Sequence, residues 1–136
     1  ALNDFIAFSG NYPTFVAHNA RFDCSFIDAA LAECDIKYDY RKIDTVELCK
    51  RAFPELSKVK LNLVAEHLGF DDFNHHRACD DAEMLANILY AMFEKLKNDG
   101  IEDTEKMISE MSSKVDPLKL PTHHQILLKK NKKGLK

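Results

Sequence analysis

Two short stretches hold the residues best able to do chemistry. In Asn74-His75-His76-Arg77-Ala78-Cys79-Asp80-Asp81, a histidine precedes an aspartate by five positions, at the mouth of a helical pattern running from Ala82 to Leu96. Apolar residues there recur at 82, 85, 86, 89, 92, 93 and 96, the spacing of one buried helix face. Far upstream, His18-Asn19-Ala20-Arg21-Phe22-Asp23 sets another aspartate in the first turn of another helix. Such a turn has unpaired N–H groups and a positive dipole end, which tolerate and orient carboxylates. A fixed acid beside a mobile histidine is the least that metal-assisted hydrolysis requires. The carboxylate holds a cation, and an imidazole titrating near pH 6.5 takes a proton from water. The plainer reading is that Asp23, Asp80, Asp81 and Glu83 only complement helix dipoles. Recurrence of the arrangement at two helix starts favours the chemical reading.

The elements around these residues can be read from pattern and punctuation. Thr14-Phe15-Val16-Ala17 is an apolar run of strand length, which suits a strand buried on both faces of an α/β sheet. His18-Asn19-Ala20 ends it, so Asp23 falls just beyond the strand's carboxyl end, where the sites of open α/β sheets gather. The helix that follows carries Phe22, Phe26, Ile27, Ala30, Leu31 and Cys34 on one side. Before the strand, Leu2, Phe5, Ile6 and Phe8 mark a short helix stopped by Gly10. Arg41 to Thr45 reads as a second short strand, ending at an N-cap supplied by Asp44 or Thr45. Val46 to Phe53 is then a helix terminated by Pro54. Leu61, Val64, Ala65 and Leu68 make another, closed by Gly69. After Gly100 a weaker helix uses Ile101, Met107, Ile108 and Met111. Pro117 and Pro121 break the pattern, and His123 to Leu128 reads as one more strand whose partner the sequence does not reveal.

Totals bound the class. A chain of 136 residues, 46% hydrophobic and 30% charged, fits one domain with a real core. No apolar run approaches the roughly 20 residues that cross a bilayer, and Ala1-Leu2-Asn3-Asp4 has neither the basic start nor the cleavage region of a signal peptide. The absence of an initiator methionine leads us to expect a piece of a longer chain. Cysteines at 24, 34, 49 and 79 show no C-x-x-C spacing, so a structural zinc site or redox pair is not indicated, and zinc hydrolysis is remote. Cys34 and Cys49 sit among apolar neighbours and read as reduced core thiols in an intracellular compartment. Formal net charge is -3, yet the last eight residues hold five of the 19 basic side chains, leaving 14 against 22 acidic ones in the rest. An acidic body argues against binding nucleic acid by phosphate neutralisation alone. It leaves open an enzyme that reaches phosphates through bound cations.

Together the two aspartate-bearing helix starts resemble two of the three motifs of the DEDDh 3′→5′ exonucleases, the proofreading-type, DnaQ-like family. Val16-Ala17-His18-Asn19-Ala20-Arg21-Phe22-Asp23 resembles the family's second motif, and His76-x-x-x-x-Asp81 its third, in the histidine-bearing form. Ile43-Asp44-Thr45 and Lys60-Leu61-Asn62 also fall where family members have similar segments. The resemblance covers about residues 1–97 and is strongest to the exonuclease domain of bacterial PolC-type replicative polymerases. There the exonuclease is inserted in a PHP domain, and Leu120 to Asn131 resembles the return into that host. The resemblance implies a ribonuclease H-like α/β fold, truncated at its N-terminus, mostly helical with a small residual sheet. It divides the chain into an exonuclease portion at 1–112 and an extension at 113–136.

By the same resemblance, Asp23 and Asp81 are ligands of Mg²⁺ or Mn²⁺, with two ions in the complete domain. His76 is the general base, with His75 as a poorly spaced runner-up. His18 and Asn19 orient either the strand end or the substrate's terminal nucleotide. Two divalent cations roughly 3.5–4 Å apart activate water, neutralise developing charge and support the leaving oxygen of a phosphodiester. The family's first motif, Asp-x-Glu on a strand, supplies two of four carboxylates, and none lies before Val16. The expectation is therefore a fragment with weak metal pairing and little activity. Its substrate would be a DNA 3′ end, its partner the remainder of a polymerase chain, and its location the cytoplasm of a bacterium, without a membrane. An uncovered sheet edge predicts a homodimer or strand exchange. The alternatives are a ribonuclease-type 3′→5′ exonuclease of the same fold and a non-catalytic interaction module of a polymerase.

Overall fold

Strands β1 (Thr14–Ala17) and β2 (Arg41–Asp44) lie parallel, with Thr14 opposite Arg41, Phe15 opposite Lys42, Val16 opposite Ile43 and Ala17 opposite Asp44. In the computed structural model, residues 1–11, 13–70 and 77–112 are described, except for the side chains of 110–112. Among these, β1 and β2 form a two-stranded sheet within a mostly helical α/β chain, as the resemblance implied. Successive strand residues point to opposite faces. Val16 packs against the core that contains Ile43. Phe15 turns the other way, its ring centroid 5.1 Å from that of Phe5 and 4.8 Å from that of Tyr40. Phe5 belongs to α1 (Leu2–Ser9), which Gly10 stops in a left-handed conformation at φ 58°. The strand is not buried on both faces, as its apolar run had predicted: Thr14 is exposed and the other three residues half-buried. Burial on both faces needs complete layers on both sides, and among the described residues the second face is covered by α2 (Ala20–Glu33) and the aromatic group, which leave β1 half-buried.

Helix α2 (Ala20–Glu33) crosses from β1 to β2 and packs on both strands. The structure turns it away from the predicted face. Ala20, Cys24, Ser25 and Leu31 are buried, whereas Phe22 and Phe26 are half-exposed and meet edge to face at 5.0 Å. Small side chains at 20, 24 and 25 suit close approach to the sheet, and two phenylalanines there would hold the helix off. Cys34 lies exposed just past the helix, and the buried thiols are those of Cys24 and Cys49, which corrects the reading of Cys34 as a core residue.

The core gathers on the other face of the sheet from α3 (Thr45–Ala52), α4 (Leu61–His67), α5 (Ala78–Asn98) and α6 (Thr104–Ser112). Leu48, Cys49, Ala52 and Phe53 meet Val64 and Ala65 of α4 and Met107 and Ile108 of α6. Through them runs a column from α5, namely Met84, Ile88, Met92 and Leu96, spaced by four residues. The predicted α5 face is thus rotated: Ala82 and Ala86 are exposed, Leu85 is half-buried, and Leu89 and Phe93 flank the core half-buried. Cys49 Sγ lies 3.4 Å from Met92 Sδ, and burial pushes its thiol up to about 12, which leaves it an inert packing group. Helix ends fall at the expected punctuation, before Pro54, Gly69 and Gly100. The candidate strand at 123–128 and the extension at 113–136 lie outside the described residues.

Candidate active site

The first turns of α2 and α5 and the start of α4 meet at the carboxyl end of β1. Their junction is a cleft of about 500 Å³ lined by Val16, Ala17, His18, Asp23, Leu61, Ala78, Asp81, Ala82 and Leu85. Two carboxylates named from sequence, 58 positions apart in the chain, thus share one cavity. Each stands in the first turn of its helix, where the dipole favours negative charge. Asp80 does not line the cleft; its Oδ2 lies 3.7 Å from Nε of the exposed Arg77, and Asp80 itself is half-buried. His75 and His76 lie outside the described residues.

His18 lines the cleft with both ring nitrogens already engaged. Nδ1 lies 2.9 Å from Thr45 Oγ1, and Nε2 donates to the backbone carbonyl of Val59. While these bonds stand, a ligand can reach His18 only through ring carbons or its backbone. Burial holds the ring's pKa below the ordinary 6.5, outweighing the Val59 hydrogen bond and the charges of Asp44 and Asp23, which act to raise it. Asn19 takes a left-handed conformation, φ 75° and ψ 57°, and its side chain makes no cap bond to α2. Its backbone N–H instead donates to Asp44 Oδ1 at 3.1 Å, and that of Ala20 to Asp44 Oδ2 at 3.1 Å. Asp44 Oδ1 also accepts from Val46 N at 2.9 Å, so Asp44 is the N-cap of α3.

Sequence reasoning took Asp44 or Thr45 as a helix cap within a segment similar to one in the family, and gave neither a part in the site. An acid ahead of a helix signals a cap for that helix. Nothing in the spacing reveals that the same oxygens serve a helix start 24 residues earlier.

Cation binding can be judged from the donors. Mg²⁺ and Mn²⁺ take oxygen ligands, which Asp23 and Asp81 supply. Among the described residues no three His, Cys, Asp or Glu side chains converge. The pair fits a hard cation as part of a ligand set.

The fold and the cleft are of one kind: two aspartates at the carboxyl end of a parallel strand, each at a helix N-terminus, on a small α/β sheet. The chain belongs to the exonuclease family (RNase_T), whose model matches residues 1–89. It is 45% identical over 136 residues to the PolC-type DNA polymerase III of Clostridium perfringens (strain 13 / Type A), a match covering 99% of this chain and 9% of that protein. To the PolC-type DNA polymerase III of Caldanaerobacter subterraneus subsp. tengcongensis it is 38% identical over 122 residues, 89% of this chain and 9% of that one. To the 3′-5′ exonuclease DinG of Staphylococcus aureus (strain USA300) it is 39% identical over 102 residues, 74% of this chain and 11% of that protein. The chain therefore spans about a tenth of the length of these relatives. No solved structure matches it. The expected likeness to a DnaQ-like exonuclease of the PolC type holds. No helix among the described residues is long and apolar enough to cross a membrane.

Proposed function

We propose that this chain forms part of a 3′→5′ exonuclease that removes nucleotides from DNA 3′ ends as the proofreading site of a larger polymerase. The observation that carries the proposal is the shared cleft of Asp23 and Asp81. These two carboxylates would hold Mg²⁺ or Mn²⁺, which when bound supplies neutralising charge at the phosphate and acidifies water. His76 takes a proton from the attacking water. The water oxygen forms a bond to the terminal phosphorus, and the bond to the 3′ oxygen breaks. A nucleoside 5′-monophosphate leaves, and the shortened strand keeps a 3′-hydroxyl. Asn19 and His18 hold the end of β1 in place, and the cleft wall beside them takes the terminal nucleotide.

Within the 136 residues stand two of the four carboxylates that the family's motifs supply, so the isolated chain pairs metal ions weakly and has little or no activity. The match to a PolC-type relative over 99% of the chain, against 74% for DinG, favours a polymerase as the host and residues 113–136 as the return into its flanking domain. The cytoplasm of a bacterium is the matching location.

The test uses 5′-labelled single-stranded DNA and Mn²⁺. The chain alone should leave the DNA intact. Preceded by a strand bearing the family's Asp-x-Glu, it should yield a ladder of 3′-shortened products, abolished by Asp81→Ala. A folded, extended chain that leaves the DNA whole would overturn the reading, and faster cleavage of a matched RNA would move the substrate to RNA.

A further inference from the structure

We infer that Asp44 is a positioning residue of this site: one carboxylate that fixes the start of α2, and with it Asp23, to the end of β2. The inference rests on reading Asp23 and Asp81 as cation ligands. An N-cap for α3 would need only the bond from Val46 N, at 2.9 Å. Asp44 accepts two more, from Asn19 N and Ala20 N at 3.1 Å each, and these serve α2 alone. That helix has no cap from its own Asn19 side chain, so the distant carboxylate replaces it. Asp44 is only 9% exposed, and Ala20 is fully buried, so water has little access to compete for these bonds. Hydrogen bonds to an ionised acceptor are stronger than neutral ones. Asp23 follows Ala20 by three residues, less than one helical turn, so the hold on Ala20 N–H sets where the Asp23 backbone stands.

Thr45 braces the same corner. Its hydroxyl, fully buried, lies 3.2 Å from the Ala17 carbonyl and 2.9 Å from His18 Nδ1, while His18 Nε2 reaches the Val59 carbonyl. The pair Asp44-Thr45 therefore ties together the end of β1, the start of α2 and the segment leading to Leu61, which lines the cleft.

Mn²⁺ titration of the isotope-labelled chain tests this, read by paramagnetic broadening of amide signals in the first turns of α2 and α5. Asp44→Asn turns one acceptor into a donor and removes the charge. Asp44→Glu keeps the charge but displaces the carboxylate by a methylene. Thr45→Val removes the hydroxyl without changing charge. At temperatures where the amide spectra show each variant folded, both Asp44 variants should weaken Mn²⁺ binding about tenfold or more, the usual effect of losing a group that orients a ligand. Thr45→Val should weaken it severalfold, and it decides the matter if the Asp44 variants fail to fold. Wild-type affinity in the folded variants would overturn the inference, leaving Asp44 a cap and nothing more. So would wild-type affinity in Asp44→Glu beside a loss in Asp44→Asn, since charge alone would then explain the effect. Asp23→Asn and Asp81→Asn serve as controls. If neither changes the broadening, the cation reading itself falls and takes the inference with it.

Discussion

A count of hydrogens decides which form of His18 the fold holds. The Val59 carbonyl only accepts, so Nε2 carries a hydrogen. The Thr45 hydroxyl has one hydrogen and two acceptors within reach, His18 Nδ1 at 2.9 Å and the Ala17 carbonyl at 3.2 Å. With a neutral ring, Thr45 donates to Nδ1. With a protonated ring, Nδ1 donates to Thr45 and frees the hydroxyl hydrogen for Ala17. Burial lowers the pKa below 6.5, so the neutral ring prevails at pH 7. Acidification through 6.5 then protonates His18 in the unfolded chain before the folded one. Stability contributed by the neutral ring is present above that pH and is lost as pH falls toward the lowered folded value. Urea unfolding at pH 7.5 and 5.5 should therefore show a larger loss on acidification in the wild type than in His18→Gln, with the other histidines cancelling in the comparison. A smaller loss in the wild type would mean that the fold raises this pKa. At this scale the sequence was legible in part. Asp23 and Asp81 were marked by helix-start position, but the partners of His18 lie 27 and 41 residues away, where no spacing argument reaches.

Elements were more legible than their faces. Glycine and proline act locally, so Gly10, Pro54, Gly69 and Gly100 mark helix ends wherever the helices pack. A buried face depends on what lies opposite. On α5, Met84, Leu85, Ala86, Ile88, Leu89, Met92 and Phe93 offer more than one apolar stripe, and periodicity alone cannot choose among them. Leu48, Val64 and Met107 choose, by surrounding the column through 84, 88, 92 and 96. The predicted and observed faces have different consequences. Ile88→Ala should cost about 2–5 kcal/mol in denaturant unfolding, because Ile88 is fully buried and its removal leaves a cavity. Ala86→Ser, on an exposed position of the same helix, should change stability by less than about 0.5 kcal/mol. Similar costs at both positions would restore the face read from sequence.

At the scale of the whole molecule, the apolar groups left over decide how copies behave. Among the described residues β1 pairs with β2 and with no other strand. Strand edges of this kind invite further pairing. Phe8 is 90% exposed, Phe26 55% and Phe22 50%, which leaves apolar rings in water that a contact between copies would cover. A net charge of -3 gives only weak repulsion against contact, and that repulsion is screened over about 8 Å at physiological salt. The sequence forecast an uncovered sheet edge but placed Phe22 and Phe26 inward, so it missed that α2 adds to the exposed surface. We therefore expect the isolated chain to self-associate. Its light-scattering mass should rise with concentration, and added salt should not disperse it, since burial of apolar surface rather than charge drives the contact. Phe8→Glu combined with Phe26→Glu should move the curve back toward the monomer while amide spectra stay folded, because neither side chain belongs to the core. A monomer that persists to near-millimolar concentration would show that these exposed aromatics are compatible with a solitary chain.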